Sequence, residues 1–278
     1  MAGEFTGNPT SAVGMMDRLQ ADLTAGYLVT ARLLPAVMAE VAINANSVQF
    51  YAIPSPSIIA AQTEADAWTA KTFTYTARTV TLATYPSYVK VSLGTLNGGE
   101  MVSRQLVESM YQDVAFSTDK IICDQISNFT PTVSGATLTA AVFSTGLATL
   151  RNQGYSYSNP VAIVSEQMGL SLLQSLTAGF TPAKNDEIIS NGYVGNVMGV
   201  EVFSVPSGIL PTVGSDHYGA VFYPNVGIGF GYWPASNGGV IHAQALEVIG
   251  GYDIGAFSRC GASYLSATGG VKLQITSA

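Results

Sequence analysis

Ionisable side chains are scarce in this 278-residue sequence: 11 are Lys or Arg, 18 are Asp or Glu, and together they make up 10% of the chain, against about 25% in an ordinary soluble domain. A compact monomer of this mass exposes roughly 11,000 Å², which leaves one charge for roughly 400 Å², already the scale of a notable neutral patch. Much of that surface is therefore expected to be covered by other chains. Cysteine is equally sparse. Cys123 and Cys260 are too few and too scattered for a disulfide framework or a zinc site, and both are expected to be buried free thiols. No run of Lys or Arg is present and the formal net charge is -7, which argues against tight, sequence-specific nucleic-acid binding through phosphate neutralisation and leaves room for non-specific proximity to DNA. No apolar run is long enough to cross a bilayer, because the most apolar early stretch, 27–45, contains Arg32, Pro35 and Glu40. The acidic opening through Glu4 does not read as a signal peptide. A chain made and kept in a cytoplasm, without a membrane partner, is the expectation.

What is present is amphipathic pattern. Thr72, Thr74, Thr76 and Arg78 alternate with Phe73, Tyr75, Ala77 and Thr79, the two-residue period of a half-exposed strand with one hydroxylated and one greasy face. A single helix is expected from Glu100 to Phe129, with Val102, Leu106, Met110, Val114, Ile121, Ile122, Ile126 and Phe129 near one stripe and Arg104, Glu108, Gln112 and Asp113 elsewhere. At 1.5 Å per residue it would span roughly 45 Å. Asn97-Gly98-Gly99 launches it, Glu100 suits its positive N-terminal end one turn before Arg104, and Thr130-Pro131 closes it.

Around these two features the chain divides without repeats or low-complexity linkers. Residues 1–45 read as an arm, polar at first and then helical around Met15 to Leu34 until Pro35 breaks it. Residues 46–96 read as β, beginning at Ser47 to Ile53, interrupted by Pro54-Ser55-Pro56, and returning through Phe73, Tyr75 and Val80 towards Val89 and Val91. A second helix is expected from Leu138 to Asn152, closed by Gly154. Then come the strand Val161 to Val164 and a third helix capped by Ser165 and carrying Met168, Leu172, Leu173 and Leu176. Strands follow at Val194 to Met198, Val200 to Val205, Ala220 to Tyr223, Gly227 to Trp233, and over the last forty or so residues, from Val240 to Ile275.

Candidate chemistry is thin. Ser215, Asp216 and His217 are consecutive, and three adjacent residues do not readily converge as a serine-histidine-aspartate triad; a polar turn after Pro211 and Gly214 is expected. His242 sits among apolar neighbours as a satisfied sheet histidine. Gly227, Gly229 and Gly231 lack the spacing of a nucleotide-binding loop, so they read as strand glycines that let another backbone approach. The pairs Glu64/Asp66 and Asp186/Glu187 lack a liganding loop and read as solvated faces or interfacial salt bridges. No cofactor, metal or catalytic residue is expected.

In order and spacing, the blocks Glu64-Ala65-Asp66-Ala67-Trp68 with Val89-Lys90-Val91-Ser92, Gly99 to Phe129, Leu147 to Gly154 with Pro160 to Ser165, and Gly195 to Val202 resemble the major capsid proteins of tailed bacteriophages, whose fold encapsulin shells share. The resemblance runs from about residue 36 onward. It implies an α+β fold with an N-terminal arm (1–45), an extended β loop (46–96), a peripheral domain with a long spine helix (97–131 and 239–278), and an axial α/β domain (132–238). It implies a structural protein, not an enzyme: pentamers and hexamers closing an icosahedral shell around double-stranded DNA, located in the virion and assembled in the host cytoplasm. The extended loop would reach a neighbouring subunit through Glu64, Asp66, Trp68, Lys71, Phe73, Tyr75 and Arg78. Lys71 sits where some relatives form a Lys-Asn cross-link, but no partner motif accompanies it. The arm is short for a cleaved scaffolding segment, so a separate scaffolding protein is expected, with a portal and, in some relatives' manner, a decoration protein. The alternatives are an encapsulin-type compartment shell and an intracellular oligomeric hydrolase using Ser215 or a carboxylate pair.

Overall fold

The computed structural model describes residues 32–42, 46–52, 76–92, 100–155, 159–176, 193–233, 242–246 and 251–276. In chain order these carry β1 (Met38–Val41), β2 (Ser47–Ala52), β3 (Thr76–Thr81), β4 (Ala83–Ser92), α1 (Glu100–Asp124), β5 (Thr132–Gly135), α2 (Ala140–Arg151), β6 (Val161–Ser165) and α3 (Glu166–Ser175). They continue with β7 (Tyr193–Val197), β8 (Val200–Val205), β9 (Thr212–Val213), β10 (Asp216–Phe222), β11 (Ile228–Tyr232), β12 (His242–Leu246), β13 (Gly251–Tyr264) and β14 (Gly270–Ile275).

Val161 to Ser165 lack the polar/apolar alternation of a strand with one wet face, and β6 accordingly is buried along its whole length. It lies inside a 7-stranded sheet of order β5-β14-β10-β6-β8-β7, with β9 added to β10. β6 pairs parallel to β8 and antiparallel to β10. Two capped helices pack on this sheet. The Thr139 hydroxyl accepts the Val142 N–H at 3.3 Å and the Ser165 hydroxyl accepts the Met168 N–H at 3.0 Å, satisfying helix-end donors that would otherwise be orphaned. Ser175 Oγ, at the end of α3, accepts the Ala140 N–H that starts α2 at 2.7 Å, which ties the two helices together.

The second sheet is 5-stranded, β1-β11-β13-β12, with β4 also paired to β13. β13 is 14 residues long. It holds β4 along one edge and both β11 and β12 along the other. α1 packs across β13 and β4. Its buried residues Met110, Val114, Ala115, Thr118, Asp119, Ile122 and Cys123 fall in two adjacent columns of four-residue spacing, and the stripe continues to Ile126 and Phe129 beyond the helix. One hydrophobic core joins this stripe to both sheets, from Leu33 through Phe143, Ile163 and Phe230 to Ile275.

The long helix, the two capped helices and the strands after residue 160 match the expected elements to within a few residues. The α-helix tightens at Asp124 into the 3-10 segment Gln125–Asn128, just ahead of Pro131. Of the helix side chains, Val102, Arg104 and Leu106 lie outside the description, while Glu108, Gln112 and Asp113 are exposed as expected.

Met38–Val41, read as part of the arm, is a strand running parallel to β11; four residues with a partner that distant in sequence leave no local signal. Pro35 is the second residue of the 3-10 turn Leu34–Ala36, and the helix expected around Met15 lies outside the described residues. One reading needs correction. The faces of the Thr/aromatic strand are reversed at the part described: Arg78 is half-buried and Val80 buried, whereas Ala77 and Thr79 are exposed. The register places Phe50 opposite Arg78 and Val48 opposite Val80, so the apolar residues of β2 choose which face turns inward.

Segment and sheet also diverge. β11, from the segment 132–238, hydrogen-bonds to β13, and β14, from the last forty residues, lies between β5 and β10. The chain thus passes between the sheets after Phe222 and again after Tyr264.

Candidate assembly surface

β2 and β3 form a 2-stranded antiparallel sheet of their own, in continuous register from Ser47/Thr81 to Ala52/Thr76. It forms the root of the segment 53–75, which itself lies outside the described residues. A two-stranded ribbon cannot bury its apolar atoms within itself. Here Val48, Phe50, Val80 and Leu82 pack with Ala42 and Leu265 as a separate cluster, joined by Met38 and Trp233. Burial of each larger side chain favours this docking by roughly 1.5–3 kcal/mol. The opposite face is open: Ser47, Gln49, Thr79 and Thr81 are exposed and Tyr51 retains 57% of its surface.

The bed beneath is made of glycine. A methyl group on Gly229 would lie 3.0 Å from the Phe50 ring, one on Gly231 3.0 Å from Val48, and one on Gly261 would run into the Thr81 carbonyl oxygen. Gly231 and Gly261 are directly paired across β11 and β13. Close approach of another backbone, expected at Gly227, Gly229 and Gly231, is found instead at Gly261; the space over Gly229 and Gly231 is filled by the Phe50 and Val48 side chains of the hairpin root, and that over Gly227 by Phe222. No side-chain knobs rise from the bed at these positions. Polar ties flank it. The Arg78 guanidinium lies 4.5 Å from the centre of the Tyr264 ring. Arg259 sits 5.4 Å from the centre of the Trp233 ring and donates from Nη2 to Asn46 Oδ1 at 2.7 Å.

Of the seven residues expected to reach a neighbour, Arg78 alone is described, and it turns toward its own body. Glu64, Asp66, Trp68, Lys71, Phe73 and Tyr75 lie outside the described residues.

A second attachment went unread in the sequence. The buried Asp119 of α1 accepts the backbone N–H groups of Leu33 at 3.2 Å and Arg32 at 3.4 Å, which fixes the chain just before β1. Burial pushes its carboxyl from 3.8 up to about 6, with the two backbone donors and the Arg32 charge pulling the other way. Arg32 also approaches Glu166 of α3 at 3.8 Å. An acidic residue inside an apolar helix stripe was the available signal.

The hydrolase candidates do not converge. Ser215 is exposed in the turn between β9 and β10, where Gly214 has φ 66°. Asp216 accepts from Gln274 Nε2 at 2.5 Å, and His217, next along the strand, points to the other face. Glu64, Asp66, Asp186 and Glu187 lie outside the described residues, as does the side chain of His242. Among the described residues no group of three or more His, Cys, Asp or Glu could hold a metal ion, and no helix is long and apolar enough to cross a membrane. Cys123 and Cys260 are both free and buried. Burial raises both thiols, Cys123 well above its ordinary value, with Asp119 and Asp124 adding to the effect.

No protein-family model and no curated protein matches the sequence. Solved structures do. The capsid of the cyanophage P-SCSP1u superposes with a TM-score of 0.61 at 12% identity, covering 87% of each chain. The capsid of a native GTA particle gives 0.61 at 14% identity, covering 90% of this chain and 91% of that one. A virus-like particle from Pyrococcus furiosus gives 0.56 at 13% identity, covering 93% of this chain and 99% of that one. The fold is therefore the mixed α+β fold of these shells, over most of the chain.

Proposed function

We propose that a chain with this fold is the major capsid protein of a tailed phage, assembling into pentamers and hexamers that close an icosahedral shell around double-stranded DNA. The observation that carries the reading is the end-to-end likeness to capsid chains, which runs through both sheets and is not confined to one motif. The sparse charge and the open outer face of the β2–β3 root support it, since both call for cover by other chains. Under this reading the excursion 53–75 reaches a neighbouring subunit through Glu64, Asp66, Trp68, Lys71, Phe73 and Tyr75, while Arg78 serves at its root. The sheet containing β13, with α1, is the peripheral part, and the sheet containing β6 is the axial part. Head-to-tail contacts of this kind close into rings. The role is structural, not enzymatic, in a virion assembled in the host cytoplasm, with a portal, a separate scaffolding protein and, on some shells, a decoration protein as partners. The packaged DNA is met without sequence preference.

Expression followed by electron microscopy tests the reading. Closed particles, sheets or tubes are expected from the intact chain. Deletion of Pro54 to Thr72 should leave a folded subunit that sediments as small species. A discrete small oligomer from the intact chain, with hydrolytic activity lost in His217→Ala, would overturn the proposal.

A compartment shell is the second reading, since the fold is shared with a virus-like particle as well as with phage capsids. The contents of native particles separate the two: nuclease-protected DNA marks a capsid, and an enclosed enzyme marks a compartment.

A further inference from the structure

Among the described residues, Met198 alone combines a side chain with a left-handed backbone, at φ 54°. It and Gly199, at φ 80°, are the two residues that join β7 to β8, with Val197 paired to Val200 across them. Two left-handed residues in a two-residue loop make the tight turn whose twist matches its strands. Its first position favours Asn, Asp or Gly, because a longer side chain is crowded there by its own backbone. Gly199 suits its position and Met198 does not. The methionine gives the subunit little in return: Val197 and Val200 on either side are buried, whereas Met198 retains 44% of its surface. A methyl group added to Gly199 would meet no atom within 4 Å, so the turn is clear of the body on that side.

An exposed apolar side chain held in an unfavourable conformation needs a reason outside its own fold. Its place supplies one. β7 is the outermost strand on its side of the 7-stranded sheet, so the β7–β8 turn lies at a corner of that sheet. A head-to-tail ring sets the side margin of each copy against the next copy. We propose that Met198 is a contact between copies of this chain, an apolar side chain that the β7–β8 turn presents to the next subunit around a ring. This rests on the shell reading above. The residue type fits the task. Methionine is unbranched and polarizable and re-packs easily, so one side chain can fill the slightly different gaps that five-membered and six-membered rings of the same subunit leave. Asparagine would serve the turn better and the contact worse.

Met198→Asn therefore separates the two roles. In the unassembled subunit its folding constant should be no lower than that of the intact chain, and higher by about fivefold where the turn is fully relieved. The concentration needed for assembly, read by sedimentation, should rise by at least about fivefold. Met198→Leu, which keeps an apolar side chain, should assemble at the same concentration as the intact chain. Oxidation by dilute hydrogen peroxide, followed by mass spectrometry, reads the contact directly. Met198 should react at least about ten times more slowly in assembled material than in free subunits, while the buried Met110 and Met168 stay slow in both. A lower folding constant in Met198→Asn would make the side chain part of the subunit's own packing and overturn the proposal. So would assembly of Met198→Asn at the same concentration as the intact chain, assembly of Met198→Leu no better than that of Met198→Asn, or equal oxidation rates before and after assembly. If the intact chain forms no larger species at all, it is the shell reading that fails, and the contact between copies falls with it.

Discussion

β6 is an apolar run closed by one serine, the β2–β3 root alternates apolar with polar residues, and the two end in opposite situations. β6 is enclosed on both faces, with Ala162, Ile163 and Val164 at 0% exposure and helices packed over its sheet. The root buries one face only, on glycine, and leaves Gln49, Tyr51, Thr79 and Thr81 to whatever lies outside. The 7-stranded sheet is thus stable by its own packing. The root is stable as a lodger on the other sheet, and under the shell reading its open face is the part left for another chain. In a shell subunit that division of labour separates the part that must fold from the part that must meet a partner.

The sharpest way to break this contrast is Ile163→Asp. It buries a charge without a partner inside the 7-stranded sheet and should cost several kcal/mol, enough to abolish soluble folded protein; a variant that folds normally would show that β6 is less enclosed than described. Phe50→Ala should cost about 3–4 kcal/mol of hairpin docking and act locally. Hydrogen exchange should speed up in 47–52 and 76–81 and stay slow in 161–165. Faster exchange throughout would mean that the root and the inner sheet unfold as one unit.

Asp119 gives a pH-dependent test on the β1 side of the molecule. Its folded carboxyl titrates at about 6, above the ordinary 3.8. The folded chain therefore keeps a proton that the unfolded chain has already lost. Its contribution to stability is full below the ordinary value and is lost as pH rises through the folded one, about 3 kcal/mol across the window. Denaturant midpoints taken every half unit from pH 4 to 7.5 should show this fall, and Asp119→Asn should flatten it; an identical slope in both proteins would place the titration elsewhere. Smallest is Ser165→Ala, which removes the α3 cap and should lower stability by about 1 kcal/mol without touching the hairpin. A larger loss would give the capping hydroxyl a second role.

Much of this was legible because the signals are local. Met110, Val114, Ile122 and Ile126 repeat at helical spacing, and their burial follows. Val161 to Val164 followed by Ser165 announces a buried strand running into a capped helix. The alternating glycines at 227, 229 and 231 signalled a close approach, but what fills the space at 229 and 231 is Phe50 and Val48 of β2, nearly two hundred residues earlier, whereas Gly227 faces the nearby Phe222. Pairings of that range were out of reach: β1 with β11, Asp119 with the amides of Arg32 and Leu33, and Arg259 with Asn46. Arg78 was misread for the same reason. Its alternation with Ala77 and Thr79 fixes that there are two faces, and only the cross-strand partner Phe50 decides which is inside.

The parallel pairing of Met38 with Gly229 has a consequence for how the chain is made. At common elongation speeds β1 leaves the ribosome roughly 10–40 s before its partner strand exists. Throughout that interval an unpaired edge waits in the company of unfinished copies of itself. Slower growth temperatures and lower messenger levels should therefore raise the yield of correctly closed sheets, and early termination products should accumulate as aggregates.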